Sequence, residues 1–167
     1  PPSARPPAAS SAAVAPPPPA PPKPPPPKPS TIPLRRGHEP ADELVDKGDA
    51  AFEVGDAAEA ARQYAAAKKL DPKHPGPHVG EVRLRLAKLD VPLDYASAKN
   101  KPELKPIVAD LKKIAAAHPT YGPAQAELGR ALLLVGDAPA ALGFLRKAAA
   151  ALPQVAEVHS ALGVASL

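Results

Sequence analysis

The sequence predicts an all-α fold, an α-α superhelix of about three and a half helical hairpins behind a disordered proline-rich arm. Three observations carry this. The tetrapeptide VGDA occurs at Val54 to Ala57 and again at Val135 to Ala138, 81 residues apart. Beyond residue 40, apolar and small residues recur at helical spacing between glycine, aspartate and proline punctuation. And 17 of the 27 prolines lie within residues 1–40, where almost no large apolar side chain is available to offset the entropy of ordering the chain.

The arm comes first, over residues 1–39. Its runs Pro16 to Pro19 and Pro24 to Pro27 favour an extended, semi-rigid polyproline II conformation. It also holds the whole of the formal charge of +4: five basic residues and Glu39 fall in residues 1–40, while the remainder carries 16 charges of each sign. Five charges spread over forty residues make no dense basic patch, so a nucleic-acid partner is not expected. Two roles stay open for the arm. It is a spacer of the kind that crosses bacterial envelopes, or its PPPPAPPKPPPPKP stretch is itself a ligand for aromatic grooves.

The helices follow. From Pro40 to Val54, Leu44, Val45, Ala51 and Phe52 recur at helical spacing, and Gly55 stops the helix in the manner of a left-handed cap. Asp56 caps a second helix, with Glu59 completing an acidic capping box, and Asp71-Pro72 ends it. The same hairpin returns 81 residues on, with Gly129 matching Gly48, Gly136 matching Gly55, Asp137 matching Asp56, Leu145 matching Tyr64 and Pro153 matching Pro72. Gly129 to Gly163 and Pro119 to Pro153 each span 34 residues, which sets the basic period. The middle unit must therefore carry 13 extra residues, placed in DVPLDYASAKNKP between helices at about Pro77 to Leu89 and Pro102 to Ala117. The expected units are 41–74, 75–121 with the insertion, 122–155, and a fourth, 156–167, holding one helix.

A 34-residue helix-turn-helix period with small residues at helix crossings and proline at the exit resembles the tetratricopeptide repeat (TPR) family. The matching residues are Leu44, Gly48, Ala60, Tyr64, Ala67 and Pro72, then Leu128, Gly129, Ala141, Leu145, Ala148 and Pro153, then Leu162 and Gly163. The middle unit departs from the pattern, with Glu81 and Val82 where leucine and glycine are expected and Ile107 at the crossing. The resemblance covers residues 40–167 and implies a right-handed superhelix whose first helices line a concave groove.

What the resemblance implies for function is non-catalytic binding of a partner's peptide segment, as a scaffold module. By phase, the groove residues are Asp49, Phe52, Arg83, Leu86, Arg130 and Leu133, with Asp42, Val45, Val79, Ala126 and Ser160 on the same stripes. Arg83 and Arg130 suit bidentate capture of acidic side chains, or Arg83 pairs with Asp49 and merely keeps the groove soluble. The lysine, asparagine and arginine clamp of chaperone-tail binders has no counterpart: the positions hold Val45, Asp49 and Arg83, and the chain's one asparagine is Asn100. Tyr95, in the insertion, is a candidate second contact or part of a tolerated surface loop. The last helix, with Val158, Ala161, Leu162 and Ala165, leaves an apolar edge available for self-association. The rival reading is a structural spacer or self-associating repeat segment with no groove ligand.

Other chemistries find little support. There is no cysteine, so disulfides and thiolate chemistry are excluded. His74 and His78 are separated by Pro75, Gly76 and Pro77, a poor arrangement for a metal, and no phosphate loop or nucleophile motif is present. No enzyme, metal or cofactor is expected. The sequence holds no apolar run long enough for membrane insertion. Beginning at Pro1, the chain reads as a piece of a longer protein, and its alanine- and proline-heavy composition suggests a bacterial one, of cytoplasm or periplasm.

Overall fold

In the computed structural model, which describes residues 30–89 and 102–167 together with Pro2 and Tyr95, the helical punctuation acts where the sequence places it. The helices are α1 (Pro40–Glu53), α2 (Ala57–Leu70), α3 (Pro75–Lys88), α4 (Leu104–Ala117), α5 (Gly122–Leu134), α6 (Ala138–Ala151) and α7 (Ala156–Ala165). Among the described residues there is no strand. Each helix packs on its neighbours in sequence, and α1, α3, α5 and α7 also touch one another in turn. That pattern is a superhelix of hairpins whose odd-numbered helices line one face.

The two VGDA copies are the same device. Gly55 and Gly136 adopt φ of 83° and 82°, the left-handed region that glycine enters without a Cβ penalty. Gly55 N donates to Phe52 O at 3.1 Å and Asp56 N to Ala51 O at 2.9 Å; Gly136 N and Asp137 N repeat this on Leu133 O and Leu132 O at 3.0 and 2.9 Å. These are Schellman closures. Asp56 then accepts from Glu59 N at 2.9 Å and Asp137 from Ala140 N at 3.1 Å. The capping box predicted at Asp56 forms only in this half. Asp56 N is already committed to Ala51 O, and the Glu59 carboxylate turns to Arg62 and Gln63.

Small residues let the helices close. Tyr64 is fully buried and lies between Gly48 and Gly80, where a Cβ would come within 2.5 and 2.6 Å of its ring. Gly129 plays the same part for Leu145, at 2.5 Å. The apolar core is continuous from Val45 and Ala60 through Val79, Ile107 and Leu111 to Leu128, Leu145 and Ala161. At the far end Val164 and Leu167 are exposed. The insertion falls between α3 and α4; apart from Tyr95 and Pro102 it lies outside the described residues.

One boundary differs from expectation. The sequence reading extends the disordered arm to residue 39, yet residues 30–39 are ordered against the helices. Burial alternates along this segment: Ser30, Ile32 and Leu34 are buried and Thr31, Pro33 and Arg35 exposed. That is the two-residue period of extended chain with one face covered. Ile32 and Leu34 supply the apolar surface that proline runs lack. The rest of the predicted arm, residues 1 and 3–29, lies outside the described residues.

Candidate peptide groove

The ordered segment Ser30–Arg36 runs across the odd-numbered helices, from α7 and α5 at its start to the beginning of α1 at its end. Each helix contributes a side chain that bonds to it. Glu157 of α7 accepts from Thr31 N at 2.9 Å and from its hydroxyl at 3.1 Å. Glu127 of α5 accepts from the Ser30 hydroxyl at 2.6 Å. Arg83 of α3 donates from Nη2 to Ile32 O at 2.6 Å. Asp49 of α1 accepts from Leu34 N at 2.8 Å, and the Tyr121 hydroxyl donates to Leu34 O. The strap is therefore read largely through its main chain, while Ile32 and Leu34 fill the apolar floor. Ile32 packs with Ala126, Ala148 and Val158.

The strap is anchored at Asp42, which has no exposed surface. Its carboxylate accepts Arg36 N at 2.6 Å, Gly37 N at 3.1 Å and Glu39 N at 3.0 Å. His74 Nε2 lies 2.9 Å away. Because His74 Nδ1 accepts Gly76 N at 3.0 Å, its ring proton sits on Nε2 and donates to Asp42. Burial alone pushes the Asp42 carboxyl up, but the Arg36 amide, His74 and the Gly37 and Glu39 amides outweigh it and hold the group well below the usual carboxylate range.

Behind the strap lies a chain of ion pairs. Arg83 meets Glu127 at 2.7 Å and Asp49 at 3.6 Å. Arg130 meets Glu127 at 3.3 Å and Glu157 at 2.8 Å. Asp49 also accepts the Tyr64 hydroxyl at 2.7 Å. Glu127 is held below its ordinary pKa: burial works against the charge, and Arg83 and Arg130 overcome it. Asp49 is shifted up, because burial there exceeds what Arg83, the Leu34 amide and Tyr64 restore.

The predicted groove residues divide accordingly. Phe52, Arg83, Leu86 and Arg130 line one cleft with Ser30 and Glu127, while Asp49 bonds to Leu34 N of the strap. Leu133 is buried in the core instead. The pairing of Arg83 with Asp49 is present. Capture of a partner's acidic side chains by Arg83 and Arg130 is not favoured, since the chain's own Asp49, Glu127 and Glu157 already engage both guanidiniums. Val45, Val79 and Ala126 are fully buried, whereas Ser160, at the same phase in the last helix, is exposed. Tyr95 is not the exposed loop tyrosine expected: it is half-buried and packs beside Leu104 and Leu134, because its ring finds apolar surface there.

Sequence reasoning missed Glu127, Glu157, Tyr121 and the strap. Two signals were available. Glu127 lies three residues before Arg130, on the same helical face. Ile32 and Leu34 are, with Val14, the only branched apolar side chains in residues 1–39, and they stand two apart.

Among solved structures, the chain is similar to the first TPR of Spaghetti (RPAP3) bound to the HSP90 peptide SRMEEVD, at 21% identity and a TM-score of 0.53, covering 75% of this chain and 92% of that one. It is likewise similar to the first TPR domain of human RPAP3, solved by NMR, at 20% identity and a TM-score of 0.52, covering 75% and 89%. No protein-family profile matches, and no curated protein does. With the helical hairpins in phase, these likenesses establish the class: the chain has a tetratricopeptide-type superhelical fold.

Proposed function

We propose that the protein is a non-catalytic interaction module that binds an extended peptide segment of a partner along its concave face, within a larger bacterial protein. One observation carries the reading. Asp49 of α1, Arg83 of α3, Tyr121 just before α5 and Glu157 of α7 bond to the main chain of an extended segment laid across them. Side chains aimed at main-chain donors and acceptors recognise extended conformation, and apolar sub-sites between them select side chains. The two solved relatives are TPR domains, one of them bound to a peptide. The chaperone-tail ligand of that relative does not transfer, because Val45, Asp49 and Arg83 stand where a clamp needs other residue types.

The test is a photo-crosslinking residue placed at Leu86, in the groove, and separately at Arg62, exposed on α2, followed by mass spectrometry of adducts formed in a bacterial lysate. A foreign segment captured from Leu86 and not from Arg62 supports the groove. The second reading, a structural spacer or self-associating repeat segment, draws on the same strap: a groove already filled by its own chain needs no external ligand. Adducts only from Arg62, or only between copies of this chain, favour that reading.

A further inference from the structure

The strap is held differently from the helices. Among the described residues, none from 30 to 38 forms a backbone-to-backbone hydrogen bond. Every bond that ties Thr31, Ile32 and Leu34 across the groove has a side chain as one partner. Its contacts are also remote in sequence, 126 residues for Thr31 with Glu157 and 97 for Ser30 with Glu127, so closing it bridges the first repeat to the last. Only two of its side chains, Ile32 and Leu34, are apolar and fully buried, flanking an exposed Pro33. This is how a bound peptide is held, not how a repeat packs.

The charges around it specify an occupant. Asp42, Asp49, Glu127 and Glu157 contact the strap, against Arg83 and Arg130. Four carboxylates to two guanidiniums leave the groove net negative. The strap matches this: Ser30 to Arg36 contains no acidic residue, and its Arg35 and Arg36 reach Asp46 and Asp71, each at 3.3 Å.

From these observations we infer that Ser30–Arg36 is a displaceable intramolecular occupant of the groove, and that the external ligand it excludes is an extended, acid-free segment with two aliphatic side chains two positions apart, followed by basic residues. This rests on the peptide-groove reading above and names its ligand class and its control. An occupant tethered next to its site competes at high effective concentration, so an external ligand meets only the open fraction and its apparent affinity falls by that fraction.

The experiment uses the full chain and a fluorescein-labelled peptide of its own residues 29–37, PSTIPLRRG, read by fluorescence polarisation. Ile32→Ala with Leu34→Ala in the protein strips the strap of its apolar anchors. The double variant should bind the probe about 100-fold more tightly than the wild type, a difference of about 2.8 kcal/mol. A probe with aspartate at the two aliphatic positions should not bind. No binding by the double variant, with its circular-dichroism melt intact, overturns the inference, and so does a doubling of wild-type mass by light scattering, which makes a second copy's strap the occupant.

Should the double variant unfold, hydrogen exchange on the wild type decides. Amides of Thr31, Leu34 and Arg36 exchanging well before those of Leu128 and Leu132 support a strap that opens alone; exchange together with the core overturns it. A foreign adduct at Leu86 with no probe binding would count against this inference alone. Probe binding with no foreign adduct would support it and count against the external-partner reading.

Discussion

Glu127→Ala should be among the most destabilising single substitutions in the groove. The Glu127 and Arg83 side chains are 4% and 3% exposed and 2.7 Å apart, so water screens the pair little, and removing one member leaves a buried charge short of a partner at a cost of about 3–5 kcal/mol. Two features adjust that range. Arg83 keeps Asp49, but at 3.6 Å, and Arg130 keeps Glu157 at 2.8 Å, which favours the middle, about 4 kcal/mol. The Ser30 hydroxyl also loses its acceptor. With a urea m-value of about 2 kcal/mol/M, the unfolding midpoint falls by about 2 M. Arg83→Ala should cost a similar amount, and the double variant less than the sum, with a coupling of about 2–3 kcal/mol in a double-mutant cycle. A loss below about 1 kcal/mol for Glu127→Ala would refute the argument, because it would mean that the pair is solvated like a surface ion pair.

Two further outcomes are expected. Gly80→Ala puts a methyl within 2.6 Å of a Tyr64 ring that Asp49 pins through its hydroxyl, and should cost about 1–3 kcal/mol; Gly143→Ala, exposed in α6 with nothing within 4 Å, should stabilise by about 0.5–1 kcal/mol; thermal melts with the opposite ordering would contradict the packing account. Asp42 and Glu127 both have folded pKa values below their unfolded ones, so their stabilisation is complete above the ordinary carboxylate range and is lost as pH falls through it and below. Asp49, shifted up, offsets part of this. Urea midpoints measured through acid pH should therefore decline steeply for the wild type and less steeply for Asp42→Asn, which starts lower; equal slopes would remove Asp42 from the account.

Legibility followed the range of the interaction. The VGDA turns, the Asp56 and Asp137 caps, and Gly48 under Tyr64 and Gly129 under Leu145 were readable because each depends on residues within one hairpin; Gly80, which closes on Tyr64 from α3, was not. The stripe was readable by phase as a set of positions: Phe52, Arg83, Leu86 and Arg130 line one cleft, and Asp49 bonds to Leu34 N. Leu133, at the phase of Phe52, is buried in the same core cluster as Phe52 but does not line the cleft, a difference that spacing alone does not reveal. Glu127 and Glu157 were passed over because charged residues on helices usually meet water, and nothing local marks those that face an arginine on another helix.

The sequence by itself determined a repeat of helical hairpins, its period, its interruption between α3 and α4, and the chemistry of its turns. These follow from glycine's backbone freedom, aspartate capping and the 3.6-residue period, all of which act over a few residues. Only the tertiary structure decided that Arg83 and Arg130 are spoken for by the chain's own carboxylates, and that Ser30 to Arg36 lies across the odd-numbered helices. Both rest on contacts between residues 27 to 126 positions apart. Such contacts exist only once the superhelix has brought α1, α3, α5 and α7 side by side.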